Sequence, residues 1–243
     1  EYQRLTGKQI GSKYGFIANG LFQSEEEIAN SATVKGYKAL PGYIKYVDRN
    51  GDGIITAAQD QGYVGKSATP KHTGSLNLFG NWKGFDFDLL FSWGLGNVVA
   101  LTGQYTASGS AGTQDNTSFT KPFYHGGNSP TFLVENSWTP EHTNAEFPRL
   151  EITGPSNNNG YSSTFWYRNG NYMRLKTAQI GYNFPKKWLN PAGIEGLRLY
   201  VEGYNLLTFS GLTKYNIDPE SPAVNNGYYP QQRTYTLGVK LTF

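Results

Sequence analysis

The chain has 243 residues, 15% of them aromatic, with 30 Gly, 18 Tyr, no Cys and a formal net charge of +3, at a mean hydropathy of −0.53. No window approaches 18 consecutive apolar residues, which excludes a membrane-spanning helix but not a barrel of alternating strands, whose segments average out to polar. The lack of Cys rules out disulfides and thiolate sites, and with so small a charge and no Lys/Arg cluster to track phosphates, nucleic acid is not an expected partner.

This length suits one large all-β domain or two small ones, and strand formers with turn glycines argue against a helical protein. The opening Glu1-Tyr-Gln-Arg4 has neither the basic start nor the apolar run of a leader, so the start of an exported protein is expected to be missing. Ile10–Phe22, aromatic and glycine-rich, reads as the first strand. Ser24 followed by Glu25, Glu26 and Glu27 reads as an N-cap with acidic residues in the first turn of a short helix. Residues 23–71 as a whole read as a long loop.

The strongest hairpin follows. In His72–Trp82, Leu76, Leu78 and Trp82 share one side, Lys83-Gly84 makes a tight turn, and Phe85, Phe87, Leu89, Phe91 and Trp93 alternate with Asp86, Asp88, Leu90, Ser92 and Gly94. Five large apolar side chains opposite two carboxylates suit lipid outside and water inside better than a dry core. Residues 96–163, rich in Gly, Ser, Asn, Thr and Pro, read as a loop of a length ordinary on a barrel rim. In Thr164–Phe184 the apolar phase slips between Leu175 and Ile180, which a bulge or a strand standing above the membrane would explain. Residues 185–196 read as a turn with a helical turn at Lys186–Leu189, 197–207 as a strand, and 208–232 as a second long loop. In the last stretch Tyr235, Leu237, Val239, Leu241 and Phe243 alternate with Thr234, Thr236, Gly238, Lys240 and Thr242. That strict period of two fits a lipid-facing strand or a half-buried strand of a soluble sandwich.

Counting back from Phe243, the connections alternate long, short, long, short, long. Outer-membrane barrels do the same, with the C-terminus and short turns at the periplasmic side. The expectation is an all-β antiparallel segment of about six spanning strands, covering residues 1–243, with extracellular loops that include 23–71. Six strands are too few to close a barrel, so further strands must pair with its edges.

One motif carries metal chemistry. Asp48, Asn50 and Asp52 stand at positions 1, 3 and 5 of a calcium-type loop, Gly53 at 6, the Ile54 carbonyl at 7 and Thr56 at 9. Ca²⁺ takes six to eight oxygens, and this spacing wraps a chain around one ion. Position 12 is Gln59, with a carboxylate arriving one residue late at Asp60. Either Gln59 gives a neutral oxygen or Asp60 reaches in through a bulge, and both weaken binding. The alternative is an Asx-rich turn with no ion.

His72, His125 and His142 lie far apart, against a zinc site. Asp86 and Asp88 on one strand read as wall residues rather than a glycosidase pair, and no nucleophile triad stands out, so the chain is not expected to be an enzyme. The aromatics Trp138, Phe165, Trp166, Tyr167, Tyr228 and Tyr229 suit sugar or peptide stacking, loop packing or an interfacial girdle.

Several runs together resemble the C-terminal part of the SusC/RagA group of TonB-dependent outer-membrane transporters. They are the run from Ile10 to Gly15, Pro41 to Gly53, Trp138 to Glu141, Asn171 to Lys176, Ile180 to Pro185, Tyr200 to Leu206, and Tyr229 to Tyr235 with the Phe243 ending. The resemblance implies a larger barrel in the outer membrane of a Gram-negative bacterium, with a plug and a TonB-contacting segment earlier in the polypeptide. It also implies a SusD-like surface lipoprotein as partner and energised import of oligosaccharides or peptides. A soluble secreted calcium-binding β-sandwich that binds carbohydrate is the competing expectation. The two differ in whether the face of Phe85 to Trp93 meets lipid or lies under a second sheet.

Overall fold

The computed structural model describes residues 6–101, 131–150, 158–221 and 231–243. Among them the strands are, in chain order, β1 (Lys13–Phe16), β2 (Ala18–Leu21), β3 (Thr33–Val34), β4 (Ile44–Tyr46), β5 (Ile54–Ile55), β6 (Gln61–Gly65) and β7 (His72–Trp82). They continue with β8 (Phe85–Leu95), β9 (Val98–Ala100), β10 (Tyr167–Asn169), β11 (Tyr172–Asn183), β12 (Gly196–Ser210) and β13 (Thr234–Thr242). Helices are single turns, including α1 (Glu25–Ala29) and α2 (Ala57–Asp60). These residues divide into two compact units, one made of the described residues within 6–69 and 98–168, the other of those within 70–97, 169–221 and 231–243.

The second unit is one antiparallel sheet of five strands in the order β13-β12-β11-β8-β7. The β7–β8 hairpin forms where the pattern placed it. Lys83 and Gly84 have φ of 49° and 92°, positive at both central positions, as a two-residue turn between right-twisted strands requires. Its register sets Leu76 opposite Phe91, Leu78 opposite Leu89 and Trp82 opposite Phe85. The phase slip in β11 is a bulge: pairing with β8 shifts between Leu175 and Thr177, and the extra residue returns Met173, Leu175 and Ile180 to one face. Residues 185–196 contain the expected helical turn at Lys186–Leu189.

The first predicted strand does not form as one. Ile10–Phe22 yields β1 and β2, which pair with β6 and β4 in separate two-stranded sheets, while Ile10 is 96% exposed. Gly20 has φ of 81°, and the β2–β4 register breaks between Ala18 and Leu21. A glycine in that conformation makes a bulge in the short β2–β4 ladder, and the long sheet has five strands among the described residues instead of six.

Residues 23–71 are also more ordered than a plain loop. Ser24 Oγ accepts from Glu27 N at 3.1 Å and Glu27 Oε2 accepts from Gln23 N at 2.7 Å, a reciprocal cap that starts α1. The core of this first unit is aromatic. The Phe16 and Tyr46 rings lie 5.0 Å apart, the Tyr46 hydroxyl donates to the Asn158 carbonyl at 2.8 Å, and the buried Trp166 donates to the Asn159 carbonyl at 2.7 Å. Burial raises the Tyr46 phenol well above its ordinary range.

Candidate functional site

Two faces of the five-stranded sheet carry opposite chemistry. Across β8 and β11, Phe85 stands opposite Tyr182, Phe87 opposite Ile180 and Trp93 opposite Met173. Across β11 and β12, Ile180 stands opposite Val201 and Leu175 opposite Leu207, and Val201 in turn opposes Leu237. Directly opposed residues share a face, so these rows make one apolar surface five strands wide. It is open: Phe85 is 52% exposed, Tyr235 71% and Leu237 77%. The sandwich alternative requires that these rows be covered, and among the described residues nothing covers them.

At the short-turn end of the same sheet, where β7, β11 and β13 finish, Trp82, Trp188 and Phe243 are exposed. Lys83 Nζ sits 4.8 Å from the centre of the Trp82 ring.

The other face is mainly polar, with the exposed Phe79 as an exception, and it carries two clusters of paired side chains. Arg198 Nε donates to Asp86 Oδ2 at 2.9 Å, its Nη2 donates to Asp86 Oδ1 and to Gln179 Oε1 at 2.7 Å, and Asn183 Nδ2 donates to the same carboxylate at 2.7 Å. Asp86 is thus a partner of arginine, not half of an acid and base pair. Toward the opposite end of β11, Arg174 is 2% exposed. It pairs with Asp218 at 2.6 Å and Glu220 at 3.0 Å, and Lys176 pairs with Glu220 at 3.2 Å. These ion pairs hold the segment after β12 to the polar face, and its Leu212, Tyr215 and Ile217 are buried.

In the acidic loop the side-chain oxygens accept from the loop's own amides. Asp48 Oδ1 accepts from Gly51 N and Oδ2 from Gly53 N, both at 2.7 Å. Asp52 Oδ1 accepts from Ile54 N at 2.9 Å, and Asn50 Nδ2 donates to Asp52 Oδ2 at 2.8 Å. Gly53 has φ of 83°, giving the sharp turn expected at position 6. The Gly53 amide holds the Asp48 carboxyl below its ordinary range against an opposing effect of burial, with smaller help from the Gly51, Asn50 and Asp52 amides.

Asp60, fully buried, accepts from Arg49 N at 2.9 Å and Thr56 N at 2.7 Å, so it ties the two ends of the loop together. Thr56 Oγ1 donates to Gln59 Oε1 at 3.2 Å. Asp48, Asn50, Asp52 and the Ile54 carbonyl therefore keep the order of a calcium loop, while Gln59 and Asp60 are engaged within it. No three His, Cys, Asp or Glu side chains converge on one point among the described residues, so an ion here would meet two carboxylates, not a full acidic cage.

Of the loop aromatics, Trp138 and Trp166 are buried, and Trp138 Nε1 donates to Gln23 Oε1 at 3.1 Å. Both belong to the packing of the first unit. His125, Tyr228, Tyr229 and the opening Glu1 to Arg4 lie outside the described residues.

No protein-family model matches the chain. Among curated proteins it is 32% identical to TonB-dependent receptor P3 of Formosa agariphila over 98% of this chain and 22% of that receptor. It is 29% identical to TonB-dependent receptor P26 of the same organism over 98% of this chain and 23% of the receptor. Among solved structures it superposes on the RagAB peptide transporter with a TM-score of 0.61 at 23% identity, over 96% of this chain and 23% of that one, a likeness of fold. The chain thus spans less than a quarter of the length of the relatives it matches. An antiparallel sheet with one open apolar face and one mainly polar face, together with these likenesses, makes the chain similar to a strand-rich segment of TonB-dependent receptors. Within that class, the likeness of fold is to the RagAB peptide transporter.

Proposed function

We propose that this chain forms part of the wall of an outer-membrane barrel that imports oligosaccharides or peptides, energised through TonB. The open apolar face of β7, β8, β11, β12 and β13 carries this reading. Most of its side chains are large and apolar, interspersed with Gly74, Gly80, Ala178 and Gly203, its strands have nine to fifteen residues, and about 9–11 tilted residues cross a bilayer. The polar face lines a wet lumen, the exposed aromatics at the short-turn end sit at the periplasmic interface, and β7 and β13 pair with further strands of the same polypeptide. A SusD-like lipoprotein over the extracellular loops captures the substrate, and no covalent chemistry is performed on it.

The loop at 48–60 takes one Ca²⁺ weakly in this reading, through Asp48, Asp52, the Asn50 amide oxygen and the Ile54 carbonyl, with Thr56, Gln59 and Asp60 shaping the far side. The ion stiffens an extracellular connection and supplies no catalysis. The test of the import reading is uptake of labelled oligosaccharides and peptides by cells carrying the full-length receptor. Import of one class that vanishes when TonB is removed is expected. Equal uptake with and without TonB contradicts it.

A further inference from the structure

A cavity of about 390 Å³ opens in the first unit, beside the acidic loop. Its walls are Phe16, Val34, Ile55 and the ring of Tyr161, with Phe16, Val34 and Ile55 buried. The Phe16 and Tyr161 rings stack at 5.6 Å. The floor closes because residue 15 is glycine: Phe16 N donates to the Ser162 carbonyl at 2.8 Å, and a Cβ at Gly15 would collide with that carbonyl. The mouth is polar, formed by Lys35, Thr56, Gln61 and Ser162.

The rim fixes the chemistry of an occupant. No carboxylate lines the cavity, and among the described residues Lys35 makes no ion pair. Among the described residues the Gln61 side-chain amide is likewise without a hydrogen bond, while its backbone carbonyl accepts from Tyr14 and Arg49. A free cation and a free amide at the mouth of an apolar hollow suit a ligand with a negative head and an apolar body. A bare hexose fits poorly, since its hydroxyls would be desolvated against Phe16, Val34 and Ile55 without partners.

We propose that this cavity binds a small carboxylate with an apolar body, its head on Lys35 and Gln61 and its body against Phe16, Val34, Ile55 and Tyr161. The chemistry is shared by the C-terminal residue of a peptide and by a free aromatic or aliphatic acid. The site stands independently of the import reading and of calcium in the neighbouring loop.

The test is calorimetric titration of the purified full-length transporter with N-acetylphenylalanine and with its C-terminal amide, which lacks the charge. The acid should bind at least about tenfold more tightly than the amide. Lys35→Gln, at an exposed position, should bring the acid down to the level of the amide and leave the amide unchanged. Ala57→Phe, which fills the cavity from an exposed helix start, should abolish both. Glycylphenylalanine binding more tightly than phenylpropionate assigns the site to peptide termini, and the reverse order assigns it to free acids. Equal binding of acid and amide, full affinity in Lys35→Gln, or no binding of either probe overturns the proposal.

Discussion

Arg198 on β12 reaches Asp86 on β8 across the whole width of the intervening β11, and it can do so because residue 181 between them is glycine. Gly181 lies opposite Asp86 in the ladder, and a Cβ on it would stand 2.5 Å from Arg198 Nη2. The guanidinium therefore lies over bare backbone and meets both carboxylate oxygens at once, the strongest geometry for such a pair. Gly181→Ala is expected to displace Arg198 and destabilise the full-length protein by about 1 kcal/mol, as befits a partly exposed pair. In a double-mutant cycle with Arg198→Ala the two losses should not add. Urea unfolding reads both, and additive losses would show that the glycine serves some other purpose.

The β7–β8 turn gives a second prediction. Gly84 has φ of 92°, and a Cβ there would come within 2.9 Å of the Tyr182 ring and 3.0 Å of the Asn183 carbonyl. Gly84→Ala should cost about 1–2 kcal/mol from backbone strain alone, whereas Lys83→Asn, a residue at ease with positive φ, should be neutral or stabilising. Thermal unfolding of the two variants side by side checks the order.

The acidic loop gives a prediction in pH. The folded Asp48 carboxyl lies below its unfolded value, so its contribution is complete above the unfolded pKa, about 3.9. It is lost as pH falls through the lower folded value. Protease resistance at residues 40–65 should hold above about pH 4 and fall in stronger acid. Asp48→Asn should cleave faster at neutral pH with little further change in acid. Added Ca²⁺ should raise resistance in the wild type, and cleavage indifferent to calcium and chelator would remove the ion from the account.

The sheet was legible in the sequence because each strand presents a period of two that only one face can satisfy. Even the bulge showed, as a slip of phase between Leu175 and Ile180. What the sequence hid were interactions between distant residues. Arg174 reads as one more polar residue in a strand, and nothing local reveals that Asp218 and Glu220, more than forty positions later, return to neutralise it. Trp138 and Trp166 were equally ambiguous, since an indole serves a sugar platform and a loop core alike until its neighbours are known. Ile10–Phe22 misled because aromatic and glycine content signals strand without saying which partner each part will pair with, and β1 and β2 take different ones. In the acidic loop the spacing of Asp48, Asn50 and Asp52 was plain. The role of Asp60 as a backbone tie was not, because it depends on burial.

The central claim is that the face of Tyr235, Leu237, Val239 and Leu241 meets lipid. Nitroxide labels placed singly at residues 234–241 of the full-length protein in liposomes test it by accessibility to oxygen, which partitions into lipid, and to a polar nickel chelate. Oxygen accessibility high at 235, 237, 239 and 241, with chelate accessibility higher at 234, 236, 238 and 240, is the predicted result. Labels on the apolar row that are immobile and reached by neither reagent would mean that the row is covered by protein, and would contradict the account.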